Sequence, residues 1–99
     1  MNKKQADQAA STLREISDRL DIDIVTQGLL TDPRFLTWSG SSQPIQHHYG
    51  DYGLVIHTCE VVTTCFSMRE HYPQYSIDEI ELFLAALFHD AARHVITKK

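Results

Sequence analysis

Apolar positions in the first part of the chain recur with the period of an α-helix. Between residues 4 and 20 they fall three or four positions apart, and charged residues occupy the rest of the helical wheel. The stripe consists of Ala6, Ala9, Ala10, Leu13, Ile16, Ser17 and Leu20. This pattern predicts a surface helix over residues 4–20 that buries one side.

Shorter elements follow this helix. Residues 21–30 alternate at first and then run into Gly28, which is compatible with a short helix or an extended turn, and we favour the helix. Asp32 before Pro33 is typical of an N-cap followed by proline at the first helical position, so a brief helical turn is predicted next. The Gly, Ser, Pro and His content of residues 39–51 predicts a connecting loop.

The second half predicts a long helix from Gly53 to about His71, which Tyr72 and Pro73 end. The side that we expect to be buried contains Leu54, His57, Val61, Thr64, Cys65 and Met68. No segment has the pattern of a strand. The chain is therefore predicted to be all-α.

A last helix is predicted from Ile77 to about Val95. Ser76 and Glu79 have the spacing of a capping box, in which the serine accepts from the backbone three residues on and the glutamate reaches back. The middle of this segment is apolar all round, which predicts a helix buried on every side.

Length and composition fit one domain over residues 1–99, since about 100 residues is the usual single-domain size. A net charge of −4 argues against long nucleic acid as a ligand. No run of residues is long and apolar enough for a membrane span, and two cysteines in an apolar helix suit reduced packing thiols. We expect a cytoplasmic protein.

The histidines supply the first indication of chemistry. All six lie between positions 47 and 94, and His89 and Asp90 follow the most apolar segment of the chain. Burying an imidazole and a carboxylate is costly unless they pair or bind something. A short turn between two helices favours antiparallel packing, which would bring His57 to the same place. The alternative is a capping aspartate beside a satisfied core histidine.

These residues resemble the metal-dependent phosphohydrolases of the HD-domain superfamily. HTCEV at residues 57–61 and AALFHDAAR at residues 85–93 are similar to its first histidine and its adjacent His-Asp pair. PIQHHYGDYGLVIHT at residues 44–58 is similar to a branch with a His-His and a Gly-Leu before the first ligand, found in HD-type exoribonucleases and relaxase-associated HD modules. The resemblance covers residues 43–94.

The resemblance implies a shortened HD-domain-like helical bundle in which His57, His89 and Asp90 bind a divalent metal ion. Imidazole and carboxylate ligands suit Mn, Ni, Fe, Zn or Mg and do not choose among them. The resemblance also implies hydrolysis of a nucleotide or another phosphoester. His48 and Arg93 would then contact the substrate phosphate.

The sequence departs from the family pattern in two ways. The usual last aspartate ligand, and the C-terminal helices that carry it, are not found after Asp90. His94 is a candidate replacement, because it lies four residues after Asp90 and hence on the same helix face. Asp51 and Asp78 are further candidates, but no spacing argument brings either near the His-Asp pair. Arg93 stands where the family has lysine. An arginine can still bind a phosphate, but it cannot act as a proton donor in catalysis.

Each candidate has a plainer interpretation. His48 is equally compatible with a surface histidine, Arg93 and His94 with helix-end cations, and Glu60 with a solvated carboxylate. The exposed tyrosines could stack a nucleobase or seal a small core. The function alternatives are accordingly an HD-type phosphohydrolase and a catalytically inactive HD domain that binds a protein or a nucleotide, dimeric through the apolar helix 77–95.

Overall fold

A computed structural model describes residues 2–38 and 50–91, in which every regular element is helical. The elements are α1 (Lys3–Arg19), α2 (Asp23–Leu30), α3 (Pro33–Thr37), α4 (Gly53–His71), a 3-10 turn (Pro73–Tyr75) and α5 (Glu79–Ala91). The all-α helical bundle predicted from the sequence is confirmed for this part of the chain. Most of the predicted loop 39–51, and the predicted continuation of the last helix to Val95, lie outside the described residues.

The predicted N-terminal helix is confirmed, and its buried stripe is the predicted one. Ala6, Ala9, Ala10, Leu13 and Ser17 are buried, while Ile16 and Leu20 pack partly against the core. The helix starts with a capping box that sequence inspection did not find. Asn2 Oδ1 accepts from the Gln5 backbone N–H at 2.8 Å, and the Asn2 N–H donates to Gln5 Oε1 at 3.0 Å.

The two short helices also form as predicted. The α3 helix begins after Asp32, whose carboxylate accepts from the Arg34 backbone N–H at 2.8 Å, and Pro33 is its first residue. The Arg34 guanidinium, which donates to the same carboxylate, lowers the pKa of Asp32. Phe35 is fully buried and fixes α3 to the core.

A buried polar network joins α1 to α2. Ser17 and Thr26 are both completely buried, and their hydroxyl groups are hydrogen-bonded to each other. Ser17 also donates to Asp23 Oδ1 at 2.6 Å. Because an ionised carboxylate can only accept, the Ser17 proton goes to Asp23. The Thr26 hydroxyl has two acceptors within reach, Ser17 Oγ and the Ile22 carbonyl oxygen at 3.3 Å. The network satisfies two hydroxyl groups that would otherwise be costly to bury.

Replacing Ser17 with alanine should lower the free energy of unfolding by about 1–3 kcal/mol, because the substitution removes both hydrogen bonds of the buried Ser17 hydroxyl and leaves Thr26 only its longer bond to the Ile22 carbonyl. Urea denaturation checks this. Ser11→Ala, at an exposed position of the same helix, is the control and should change stability by less than about 0.5 kcal/mol. Equal effects of the two substitutions would contradict the role of the network.

The long helix α4 has the predicted bounds, but the predicted buried side is wrong. Its buried positions are Gly53, Leu54, Val55, Thr58 and Val62. Thr64 and Met68, which were expected in the core, are exposed, and His57 and Val61 are half-buried. Apolar residues lie on nearly all sides of α4, so periodicity does not identify the side that packs. Contacts with α1, α3 and α5 decide it.

The predictions for the start and burial of the last helix are also wrong. Ser76 has a φ of 49°, a left-handed conformation that an N-cap does not adopt. Asp78 is the cap instead, and its Oδ1 accepts from the backbone N–H groups of Ile80 at 2.8 Å and Glu81 at 3.0 Å. The helix therefore begins two residues later than predicted, at Glu79.

Only one side of α5 is buried in the described part of the chain. Phe83, Ala86, Leu87 and Ala91 are buried, whereas Ile80 is 39% exposed and Ala85 is also exposed. The helix packs chiefly on α4, which covers one face. An apolar sequence on all sides of a helix does not guarantee enough neighbours to cover it.

Ion pairs fix the beginning of α5 against the rest of the bundle. The carboxylate of Glu79 accepts from Arg19 of α1 at 2.9 Å and from Arg69 of α4 at 3.4 Å. Arg69 also donates to the Ile77 carbonyl at 2.6 Å. Glu79 thus serves in tertiary contacts and not in the predicted capping box. None of the described helices has the length and apolar character required to cross a membrane.

Candidate metal centre

His57 lies one turn into α4, and backbone hydrogen bonds fix the start of that helix. Tyr52 precedes α4 with a φ of 70°, a conformation that is uncommon for a residue with a side chain. Its N–H donates to the Thr37 carbonyl at 2.8 Å, and the Leu54 N–H donates to the Trp38 carbonyl at 2.9 Å. These bonds attach α4 to the end of α3 and set the position of the half-buried His57 side chain.

His89 lies near the end of the described part of α5, and a hydrogen bond to the backbone defines its tautomer. Its Nδ1 is 3.0 Å from the Ala86 carbonyl oxygen. Because a carbonyl can only accept, Nδ1 carries the proton and Nε2 carries the lone pair. Histidines that bind metals commonly donate one ring N–H to a carbonyl or carboxylate and coordinate through the other nitrogen.

The packing of α4 on α5 brings the two histidines together. Their ring centroids are 6.2 Å apart, and the ring planes are inclined by 51°. Two imidazoles that bind one ion at about 2.0–2.1 Å have centroids about 5 Å apart in tetrahedral geometry. The two rings therefore lie near each other, but about 1 Å farther apart than in that arrangement.

The burial expected for the His-Asp pair is not found at His89. Its side chain is exposed, since the adjacent face of α5 is not covered by other described residues. A desolvation penalty consequently does not explain why a histidine occupies this position. The structural feature that distinguishes His89 is that its ring lies close to the ring of His57.

The other sequence candidates divide into those that the structure locates and those that it does not. Asp90 belongs to α5, next to His89, but its side chain is outside the described part of the structure, as are His48, Arg93 and His94. Within the described residues, no group of three His, Cys, Asp or Glu side chains could hold a metal ion. Glu60 is exposed on α4, one turn after His57.

Asp78, which was considered as a further ligand, does not lie near His89. Its carboxylate caps the start of α5, 11 residues before His89, which corresponds to about 16 Å along the helix. Asp51 lies in the turn that precedes α4 and is exposed. Residue spacing along the predicted last helix was already enough to separate Asp78 from His89, whereas the distance of Asp51 from His89 depends on how the helices are arranged.

The cysteines have the packing role that we expected. Cys59 and Cys65 are half-buried free thiols that contact the core. Burial raises the pKa of the Cys59 thiol, and the nearby Glu60 carboxylate raises it further. A thiol with a raised pKa is less available as a thiolate ligand or nucleophile. Cys59 is therefore not an obvious additional ligand beside His57.

One surface feature was not identified from the sequence as a unit. Met68, Tyr72, Tyr75 and Ile77 are exposed around an apolar groove at the other end of α4. The sequence pattern assigns Met68 to the core, and it offers the tyrosines as a group that stacks a nucleobase or seals the core, without linking them to Met68 and Ile77. The sequence feature that could have predicted this groove is the helix end at Tyr72-Pro73, where Tyr72 and Tyr75 lie between two predicted helices.

Comparison with known proteins does not add a family to these observations. We find no match of the chain to a protein-family model, to a curated protein or to a solved structure.

Proposed function

We propose that this chain is a metal-dependent phosphohydrolase of the HD type that acts in the cytoplasm on a nucleotide or another phosphoester. The observation that supports it is the approach of His57 and His89 across the α4–α5 contact, at 6.2 Å between ring centroids. Asp90, which follows His89 in the chain, is proposed as the carboxylate ligand on the resemblance alone. Two imidazoles and a carboxylate suit Mn, Ni, Fe, Zn or Mg.

The roles of the residues follow from their chemistry. His57, through a ring nitrogen, His89, through Nε2, and Asp90 would hold the divalent ion, and the Ala86 carbonyl keeps the His89 ring in the required tautomer. The chemistry supplied by the ion is Lewis-acid activation of the phosphoryl group and of an attacking water. His48 and Arg93 would offset negative charge on the phosphate. Arg93 stays protonated, so it binds the substrate and does not act as an acid.

Metal content tests the site directly. After incubation with Mn or Ni and desalting, the wild-type protein should retain about one or two ions per chain. His57→Ala and Asp90→Ala should each lose them, because each substitution removes a proposed ligand. Elemental analysis of matched samples measures the result.

His71→Ala is the control for this experiment. His71 lies on α4 as His57 does, but it is exposed at the far end, where its Nδ1 donates to the Ser67 carbonyl at 2.8 Å. This variant should keep its metal. A wild-type protein without metal, even when Mn or Ni is supplied, would contradict the proposal, as would equal losses in the His57 and His71 variants.

A second candidate is a catalytically inactive domain that binds a protein or a nucleotide as a dimer through the helix 77–95. It is favoured by the uncovered side of α5, on which Ile80 is 39% exposed and Ala85 is also exposed. A stable, metal-free dimer in analytical ultracentrifugation would support this candidate over the enzyme.

A further inference from the structure

An apolar groove lies where the end of α4, the 3-10 turn and the start of α5 meet. It has a volume of about 300 Å³ and is lined chiefly by Cys65, Met68, Tyr72, Tyr75, Ile77 and Leu82. We call it the α4–α5 groove. Eleven residues separate Met68 from His57, which corresponds to about 16 Å along α4, so the groove is distinct from the candidate metal centre.

Three apolar or aromatic side chains of this groove are largely exposed to solvent. Tyr75 is 68% exposed, Met68 56% and Tyr72 49%. Contiguous exposed apolar surface commonly marks an interaction site. Methionine and tyrosine are both enriched in such interfaces, methionine because its flexible thioether adapts to different partners.

The charges around the groove specify the chemistry of its occupant. The cation that lines it, Arg69, is already paired with Glu79 and bonded to the Ile77 carbonyl. Glu70 is exposed and lines an adjoining depression together with Tyr72. Asp78 and Glu81 are exposed and are the chain neighbours of the lining residues Ile77 and Leu82. The surroundings are therefore net negative and favour a cationic partner.

The two tyrosines add an independent preference for a cation. Tyr72 and Tyr75 form a tilted ring pair with centroids 6.1 Å apart. The faces of aromatic rings attract ammonium and guanidinium groups. A lysine or arginine side chain placed over Tyr72 would meet both the ring and the nearby Glu70 carboxylate. A second copy of this chain is disfavoured as the occupant, because it would bring another net charge of −4 to an acidic surface.

The groove also favours a particular backbone structure in its partner. Its lining is formed almost entirely by apolar side-chain surface, and the described elements that surround it are helical and present no strand edge. An extended peptide would find few partners there for its backbone N–H and C=O groups. A helix satisfies these groups internally and can place apolar residues from successive turns into the groove.

We infer that the α4–α5 groove docks a cationic amphipathic helix of another protein. Two apolar side chains of that helix, one turn apart, enter the groove between Met68 and Leu82. A flanking lysine or arginine lies over Tyr72 and beside Glu70. This interaction is independent of metal binding at His57.

Three synthetic helical peptides test the inference on the full-length chain. They share leucines at positions i and i+4 and differ only in flanking residues, which are lysine, glutamine or glutamate. The lysine peptide should bind at least tenfold more tightly than the glutamate peptide, with the glutamine peptide between them, and salt should reduce the difference. Fluorescence anisotropy measures the affinities.

Variants locate the binding site. Met68→Gln and Tyr75→Ser should each weaken binding of the lysine peptide by at least tenfold, and both side chains are exposed enough for the fold to tolerate the change. Ile24→Ser is the matched control, since Ile24 is an 86% exposed apolar residue on α2, and should leave binding unchanged. His57→Ala should also bind the peptide normally, whatever its effect on metal content.

Three results would overturn the inference. The first is failure of all three peptides to bind, and the second is equal binding of the lysine and glutamate peptides. The third is a concentration-dependent dimer in sedimentation that Tyr75→Ser abolishes, because this would assign the groove to a second copy of the chain.

Discussion

Hydrolysis of an activated phosphoester by the metal-loaded protein should fall by at least about 1000-fold when His89 is replaced by alanine. A bound metal ion contributes several kcal/mol of transition-state stabilisation, and about 4 kcal/mol corresponds to a factor of 1000 in rate. In the proposed site His89 would coordinate through Nε2, because its Nδ1 lies 3.0 Å from the Ala86 carbonyl oxygen and donates to it. Removing the imidazole therefore removes the ligand together with its orienting bond.

The measurement is kcat/KM for an aryl phosphate with saturating Mn or Ni. His71→Ala serves as the control, since His71 is an exposed histidine outside the candidate site, and should retain wild-type activity. Metal content is recorded on the same samples, so that loss of the ion is distinguished from loss of the fold. Metal-stimulated hydrolysis that survives in His89→Ala would contradict the assignment of this residue.

Replacing Phe83 with alanine should destabilise the protein by about 3–5 kcal/mol. Phe83 is completely buried on α5, and the centroid of its ring lies 6.3 Å from the centroid of the Phe66 ring on α4. The substitution leaves a cavity at the contact that holds the two histidine-bearing helices together. For a domain of this size, whose total stability is about 5–15 kcal/mol, such a loss is a large fraction of the whole.

Urea denaturation and thermal unfolding followed by circular dichroism measure this effect. The expected decrease in Tm is more than about 12 °C, because about 4–8 °C accompanies each kcal/mol in a domain of this length. Ile80→Ala is the control on the same helix, since its side chain is partly exposed, and should cost about 1 kcal/mol or less. A Phe83→Ala protein as stable as the Ile80→Ala protein would contradict the packing described for α5.

The N-terminal helices were predictable because local interactions determine them. The stripe from Ala6 to Ser17 has a single apolar side, so only one orientation on the core is favourable. The turn at Asp32-Pro33 is fixed by a side-chain cap and by the restricted φ of proline, both of which depend on adjacent residues alone. These elements accordingly formed where the pattern indicated.

Predictions for the second half failed where several arrangements satisfied the same pattern. On α4, apolar residues lie on most sides, and the buried Thr58 and Val62 replaced the expected Thr64 and Met68. At the start of α5, Ser76 and Asp78 were both chemically able to cap the helix. The left-handed backbone at Ser76 left that role to Asp78.

The sequence by itself determined that the chain is helical, where most of its helices begin and end, and which histidines are candidates for chemistry. It did so because helical periodicity, caps and proline act over a few neighbouring residues. Only the tertiary structure decided that the ring centroids of His57 and His89 lie 6.2 Å apart, and that Met68, Tyr72 and Tyr75 are exposed around one groove. These properties depend on which sides of α4 and α5 meet, and that choice reflects the packing of the whole bundle.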